Sequence, residues 1–322
     1  FSQVEADVGQ VTINERFALF YAEKRPFFLE GKELFETPGR LVHTRQIANP
    51  IAGGKVTGKV GGIGIAHLTA LDDVSGGDDA LFNVTRLRRD FGAGSVAGLT
   101  YTDRSVRGGD DTNRVLAADV RHVFGRMYFL QAQYGHAWTR DESGERDAAI
   151  WSLELDRTGR LFGFNYKLGG VGEDFVSRTG YVPRTGYVEG QLFNRLAFYG
   201  AEGALVEHIN IVSIPRRIWR SDGFGKDDAI EGGESLSATF RLRGGWEVRA
   251  EGQRWFYELD PDAYAAYEVE TENGLIPYQA LDRVSGPGLS LRVETPAFRT
   301  FNASASLGRA REPIFAEGAE GN

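Results

Sequence analysis

From about Gly53 to about Gly308 the chain falls into segments whose apolar side chains take every second position, the period of a β-strand and not of a helix. Tyr128, Leu130, Ala132, Tyr134, His136 and Trp138 alternate with Phe129, Gln131, Gln133 and Gly135. The same beat runs through Ala149, Trp151, Leu153 and Leu155, then Phe162, Phe164, Tyr166 and Leu168. It returns in Leu236, Ala238, Phe240 and Leu242, in Trp246, Val248 and Ala250, and in Leu289, Leu291 and Val293. One face of each segment is apolar and aromatic, and the other is polar, charged or glycine.

The connections sort into two alternating kinds. Short ones fall at about 59–62, 89–92, 124–127, 157–160, 200–203, 243–245 and 296–298, and long polar ones at about 72–80, 104–112, 139–147, 170–185, 215–233 and 258–286. A soluble sandwich also alternates apolar and polar positions, but gives no reason for short and long connections to take turns. An outer-membrane barrel does, with short turns on its periplasmic rim and long loops outside. The pattern therefore predicts an all-β fold, a transmembrane antiparallel up-and-down β-barrel of about 14–16 strands.

Two hairpins suggest a register. A two-residue loop at Thr158-Gly159 sets Leu155 opposite Phe162, Leu153 opposite Phe164 and Trp151 opposite Tyr166. A three-residue loop at Arg243-Gly244-Gly245 sets Leu242 opposite Trp246 and Phe240 opposite Val248, with Arg241 meeting Glu247 on the other face. Aromatics gather near strand ends, at Tyr101, Phe124, Tyr128, Trp138, Phe162, Tyr199, Trp219, Trp246 and Trp255, as in a girdle at the lipid interfaces.

The first fifty residues lack this alternation. Val11 to Tyr21 and Phe27 to Phe35 flank Pro26, which follows three charges, and read as short helical or irregular pieces. The chain thus divides into an N-terminal plug or linker, residues 1–47, and a barrel, residues 48–322. Leu41 to Gln46 reads as one further strand, bringing the count to about fifteen; single-chain bacterial barrels have an even number. A returning strand beyond Asn322 is therefore expected, and the terminal run EGAEGN lacks the aromatic on which such barrels close.

Composition removes other classes. With no cysteine, disulfide scaffolds, thiol catalysis and thiolate metal sites are excluded. A net charge of −8 without a basic face argues against nucleic acid as a partner. No apolar stretch reaches the roughly 18 residues of a membrane helix, which leaves only strands for crossing a bilayer.

The runs FSQVEADVGQV (Phe1 to Val11), RFALFYAEKRPFFLEGKELF (Arg16 to Phe35) and GGKVTGKVGG (Gly53 to Gly62) resemble a family of large bacterial surface proteins. The block from Tyr21 to Gly31 is the most specific, and Gly180-Tyr181-Val182-Pro183-Arg184 is similar to another that the family carries. Members join a periplasmic domain similar to a family-9 carbohydrate-binding module to a C-terminal domain of unknown function that looks like an outer-membrane barrel. The resemblance covers the barrel part and implies a carbohydrate-binding-like domain before Phe1; it brings no catalytic residues.

Candidate sites are few. Asp222, Asp227 and Asp228 have a spacing that suits calcium weakly, without the bidentate glutamate of a helix–loop–helix site; Gly76 to Asp79 and Gly108 to Asp111 are weaker versions. Gly61 to Ala66 has the glycines of a phosphate loop but no following helix, so it reads as a hairpin turn. His43, His67, His122, His136 and His208 show no metal spacing, and His136 reads as interfacial beside Trp138. Glu154, Asp156, Lys167, Arg241, Glu247, Arg249 and Glu251 fall on the polar face and are expected to line a lumen. A glycosidase carboxylate pair needs a sugar-shaped cleft around it, which a charge-lined lumen does not.

These readings predict a non-enzymatic protein of the bacterial outer membrane, without cofactor, for the passage or surface handling of a solute. Carbohydrate is the solute class that the resemblance suggests. The alternatives are a plugged barrel that anchors a partner domain or binds a surface protein, and a lumenal hydrolase.

Overall fold

The computed structural model describes residues 20–74, 78–108, 111–259, 267–271, 274–277, 283–296, 298 and 301–311. The strands are β1 (Pro50–Val60), β2 (Ile63–Val74), β3 (Asp78–Phe91), β4 (Ser95–Val106), β5 (Thr112–Phe124), β6 (Tyr128–Asp141), β7 (Gly144–Arg157) and β8 (Phe162–Val171). They continue as β9 (Tyr187–Tyr199), β10 (Val206–Arg220), β11 (Glu231–Leu242), β12 (Trp246–Glu258), β13 (Glu268–Thr271), β14 (Gly274–Pro277), β15 (Arg283–Glu294) and β16 (Ser304–Ala310). All but β13 and β14, a separate hairpin, belong to one 14-stranded sheet in which each strand neighbours the next in sequence. Among the described residues β1 and β16 each have one strand neighbour. Two compact units divide this sheet, one holding 20–154 and 168–188 and the other 155–167 with the described part of 189–311. Each is taken by itself below.

The alternation located the strands but underestimated their length. Where long loops were expected at 72–80 and 139–147, β2 runs to Val74, β3 starts at Asp78, and only Glu142 and Ser143 separate β6 from β7. The physical reason is that a strand pairs through its backbone, so it continues past the point where one face stops being apolar. Asp72, Asp73 and Val74 pair with Ala80, Asp79 and Asp78. Long connections remain at 172–186, 221–230 and 259–282, so the strict alternation of short and long holds only for the later part. The Gly61-Gly62 turn has φ of 57° and 82°, the pair of left-handed residues that a two-residue hairpin requires.

The register on β11 and β12 is as expected: Leu242 faces Trp246, Phe240 faces Val248 and Arg241 faces Glu247. The β7–β8 connection is four residues, 158–161, and the ladder differs. Gly172 N–H donates to the Ala149 carbonyl at 2.8 Å, and Asn165 Nδ2 donates to Asp156 Oδ2 at 3.0 Å, four residues out of the predicted pairing. An even slip leaves every side chain on its face, so hydrophobic pattern cannot detect it.

Leu41 to Gln46 is not a strand. Residues 44–46 form a short 3-10 turn, and Leu41 is fully buried against Val115, Ala117, Ala137 and Ile150 of the sheet. The described main sheet thus has 14 strands rather than about fifteen segments, and residues 312–322, on which the expected returning strand bears, lie outside the described residues. The described N-terminal stretch also holds a four-residue helix, Pro26–Leu29, started by a proline whose missing N–H is needless at a first helical position. Phe28, Phe35 and Ile47 pack on Ala66, Leu68, Phe82 and Val84 of β2 and β3. The segment thus lies on one face of the first unit; residues 1–19 of the expected plug or linker lie outside the described residues.

A buried ion pair locks this stretch. Arg25 donates from Nε to Glu23 Oε1 at 2.9 Å and from Nη2 to Oε2 at 2.7 Å, while Nη1 reaches the Ile47 carbonyl at 2.6 Å. Thr44 Oγ1 adds a bond to Glu23 Oε2 at 2.6 Å, and the guanidinium lies 4.3 Å over the Phe28 ring. Burial alone would raise the Glu23 carboxyl, but hydrogen bonds from Arg25 and Thr44 and the nearby positive charge hold it at about 2, against an ordinary 4.5. Its contribution is therefore complete above pH 4.5 and lost as pH falls toward 2. Glu23→Gln, which leaves a buried cation uncompensated, is expected to cost about 3–5 kcal/mol. Urea unfolding with trypsin cleavage of this segment measures it; an unchanged midpoint would remove the pair as the clamp.

Candidate functional site

In the first unit the covered face of the sheet mixes apolar side chains, among them Leu68, Phe82 and Val84, with small and polar ones. Ala66, Arg86, Thr100, Ala117 and Gly135 form one cross-strand row. Leu41 descends onto it: a Cβ on Gly135 would lie 3.5 Å from Leu41 Cδ1. Arg86 extends over Gly98, donates to Thr100 Oγ1 at 2.7 Å and pairs through Nη2 with Asp119 Oδ1 at 2.9 Å, both side chains buried. The alternation gave one sign of this pair, since Arg86 stands in phase with Ala80, Phe82 and Val84.

The 172–186 connection folds onto the same segment. Tyr181 N–H donates to the Arg40 carbonyl at 2.9 Å, His43 N–H to the Thr179 carbonyl at 2.7 Å, and Gln46 Nε2 to the Gly180 carbonyl at 3.0 Å. Phe20, His43 and Tyr181 pack ring to ring at 5.0–5.7 Å. Burial lowers the His43 imidazole, with Glu23 pulling the other way. The stretches 21–31 and 180–184 are thus both brought to the 40–47 strap. Asn113 anchors the connection from the sheet side through the Arg178 N–H and Val176 carbonyl, each at 2.9 Å. A chain of charges, Arg104–Asp111–Arg178–Asp141–Arg146, ties it to β4, the β4–β5 connection, β6 and β7 with contacts of 2.7–3.5 Å.

The opposite face is apolar and uncovered. Tyr134 is 57% and Trp138 47% exposed, whereas the alternating Gln133, Gly135 and Ala137 are buried. Ile65, Leu87, Leu99, Ala118 and Tyr134 make a row across β2 to β6 on this side. Near the short turns Phe91, His122, Phe124 and Tyr128 stack in succession at 6.0, 5.8 and 5.4 Å. Near the other end His136 sits 4.7 Å from Trp138 and hydrogen-bonds Asp147 at 2.9 Å. Of the expected girdle, Tyr101 lies in mid-strand, and Trp255 points to the polar face beside Gly286.

In the second unit the polar face carries an open ladder of charge. Arg241, Glu247 and Glu294 form one cross-strand row, and Arg249 faces Arg292 in the next. Like charges directly opposite repel, and pairs along each strand offset this: Arg249–Glu251 at 2.8 Å and Arg292–Glu294 at 2.6 Å, with Arg241–Glu247 across at 3.1 Å. Of the expected lumen residues, Arg241, Glu247, Arg249 and Glu251 therefore cluster. Asp156 shares its face with Asn165 and hence with Lys167, and Glu154 receives a 3.4 Å bond from Gln131 on the covered side. Arg292 and Glu294, which alternate with Leu291 and Val293 on the polar face, join this cluster although they were not among the expected lumen residues.

Among the described residues no group of three or more His, Asp and Glu side chains is placed to hold a metal. Asp227 turns its N–H to the Gly223 carbonyl at 2.9 Å in the loop that carries Asp222 and Asp228. Gly76, Gly77, Gly109 and Asp110 lie outside the described residues. No family model and no curated protein matches the chain.

A Cβ at Gly180 would fall 2.8 Å from the Arg40 carbonyl oxygen and 3.0 Å from the Leu41 carbonyl carbon, both backbone. Gly180→Ala is expected to loosen the 172–186 connection at a cost of about 1–3 kcal/mol and speed trypsin cleavage at Arg178 and Arg184. Gly58→Ala, where the added methyl meets open space, is the control. Equal cleavage rates for the two variants would show that the connection is held elsewhere.

Proposed function

We propose that the chain is a non-enzymatic outer-membrane β-barrel protein of a bacterial envelope, with part of its interior filled by its own N-terminal segment. The observation that carries this reading is the exposed apolar face of the sheet. Leu87, Leu99, Tyr134, Trp138 and Leu153 are exposed there, whereas the other face, which mixes Leu68, Phe82 and Val84 with alanines, threonines and paired charges, is covered, and hydrocarbon is the surroundings that suits the exposed one. Strands of 10–15 residues from β1 to β12 match or exceed the roughly 9–11 that cross a bilayer, and the ends of the longer ones project beyond it. The sequential strand order is that of an up-and-down barrel, although among the described residues the sheet is open, with β1 and β16 at its two edges.

Inside such a barrel the two polar faces have different uses. The plugged one serves as an anchor for the strap and the 172–186 connection. The open ladder of Arg241, Glu247, Arg249 and Glu251 serves the passage or surface handling of a polar solute. Carbohydrate is the first class to test, on the resemblance of residues 16–35 to barrels joined to carbohydrate-binding-like domains.

Leu153, 44% exposed on the apolar face, provides the membrane test. Leu153→Arg is expected to destabilise the protein folded in bilayers by about 2–4 kcal/mol, measured by urea titration in vesicles; a neutral effect would place Leu153 outside hydrocarbon. Planar-bilayer conductance separates passage from anchoring. An open ladder predicts ion current and a shift toward cation selectivity in Arg249→Glu, whereas silence in wild type and in Glu23→Gln leaves the anchor.

A further inference from the structure

On the apolar face of the second unit lies a groove of about 640 Å³ whose floor is unusually low. Ala238 faces Ala250, which faces Leu291 and then Leu307; in the adjacent row Leu236 faces Gly252, then Leu289, then Arg309. Small side chains on β11 and β12 make the trough, and Leu289 and Leu307, exposed by 72% and 79%, make one wall. Elsewhere this face is studded with leucines and rings, so the trough is a local departure from a smooth lipid-facing surface.

The groove ends in positive charge. Arg309 lines it, and Arg254 lies one row further along on the same face, opposite Glu234 and Pro287. Glu234 is engaged by Arg217, and Glu258 by Arg220 at 3.4 Å. Among the described residues neither Arg254 nor Arg309 has an ion-pair partner, and both are exposed. Two guanidinium groups flank β15 at the end of the strands that carries the longer connections, next to an apolar trough. Arginine is suited to a phosphate because its planar fork offers parallel N–H donors.

We infer that this groove binds a phosphorylated acyl lipid of the surrounding leaflet. One acyl chain lies along Leu236, Ala250 and Leu289, and the phosphate monoester is held by Arg254 and Arg309. This inference rests on the membrane reading given above and adds a lipid class to it. The charge is what selects the occupant: a zwitterionic choline lipid fills the trough equally well but presents a cation beside the two arginines.

The test uses the full chain refolded into vesicles of dimyristoyl phosphatidylcholine containing a minor share of dimyristoyl phosphatidic acid. Lipid retained after detergent extraction is read by native mass spectrometry. Wild type is expected to retain phosphatidic acid in preference to phosphatidylcholine, and the Arg254→Gln/Arg309→Gln variant to lose that preference, by about tenfold per arginine. Ala250→Leu, which fills the trough and keeps both charges, is expected to lose retention as well. Retention unchanged in both variants, or displaced by inorganic phosphate alone, overturns the site. Tryptophan quenching by brominated lipid in the same vesicles separates the two levels. Insertion without preference defeats the lipid site only, and no insertion defeats the membrane reading with it.

Discussion

A strand alternates its side chains between two faces while its backbone hydrogen bonds are all satisfied sideways, so a sheet's stability within its plane says nothing about what each face must meet. Here the two faces have opposite needs. One carries Tyr134, Trp138, Leu99 and Leu153, all exposed; the other carries Ala66, Thr100, Gln133 and Gly135 on the side that the chain's own described N-terminal stretch packs against. Much of what else is seen in the first unit follows from covering that second face. Its charges, Arg86 and Asp119, are paired because they are buried, and the strap above them is held by the Glu23–Arg25 pair because it has little regular structure to hold itself.

That covering is achieved with short-range chemistry. The strap from Phe20 to Asn49 contains one four-residue helix and two 3-10 turns, too little for helical cooperativity to stabilise it. Instead its backbone groups are met by side chains from distant parts of the chain. Asp72 accepts from the Ala48 and Asn49 N–H groups at 3.2 and 2.6 Å, Gln133 from Gly39 at 2.8 Å, and Lys55 donates to the Phe27 carbonyl at 2.7 Å. Each is a contact between a strand and the strap, which is how an irregular segment can have a defined place. The 172–186 connection is held by the same means, through Asn113 and Thr179.

Which parts were legible in the sequence follows from the physics of each signal. Period-two alternation is set by burial on one face, so it found β6, β7, β8, β11, β12 and β15 and the polar positions Arg241, Glu247, Arg249 and Glu251 between them. It was blind to strand ends where both faces are polar, which is why Asp72 to Asp79 read as a loop. It was blind to even slips, which is why β7 and β8 were paired four residues away from where they are. The three-residue turn at Arg243-Gly244-Gly245 succeeded because two glycines there take φ near 87° and 85°, a conformation that fixes where the strands must meet. Leu41 misled because an isolated leucine among polar residues looks the same in a strand and in a strap, and only its partners 70 or more residues away distinguish them.

The open ladder of the second unit has an electrostatic character that its net charge conceals. Summed by cross-strand row, Arg241 with Glu247 and Glu294 gives −1, Arg249 with Arg292 gives +2, and Glu251 between Ser237 and Ser290 gives −1. Successive rows lie about 7 Å apart along the strands. This is a linear quadrupole, whose potential dies away much faster with distance than that of a charge or a dipole. An ion in bulk water is neither drawn to this patch nor repelled by it. Only a solute already within a few ångströms meets the central cationic row as a distinct thing, with an anionic row on either side to orient it.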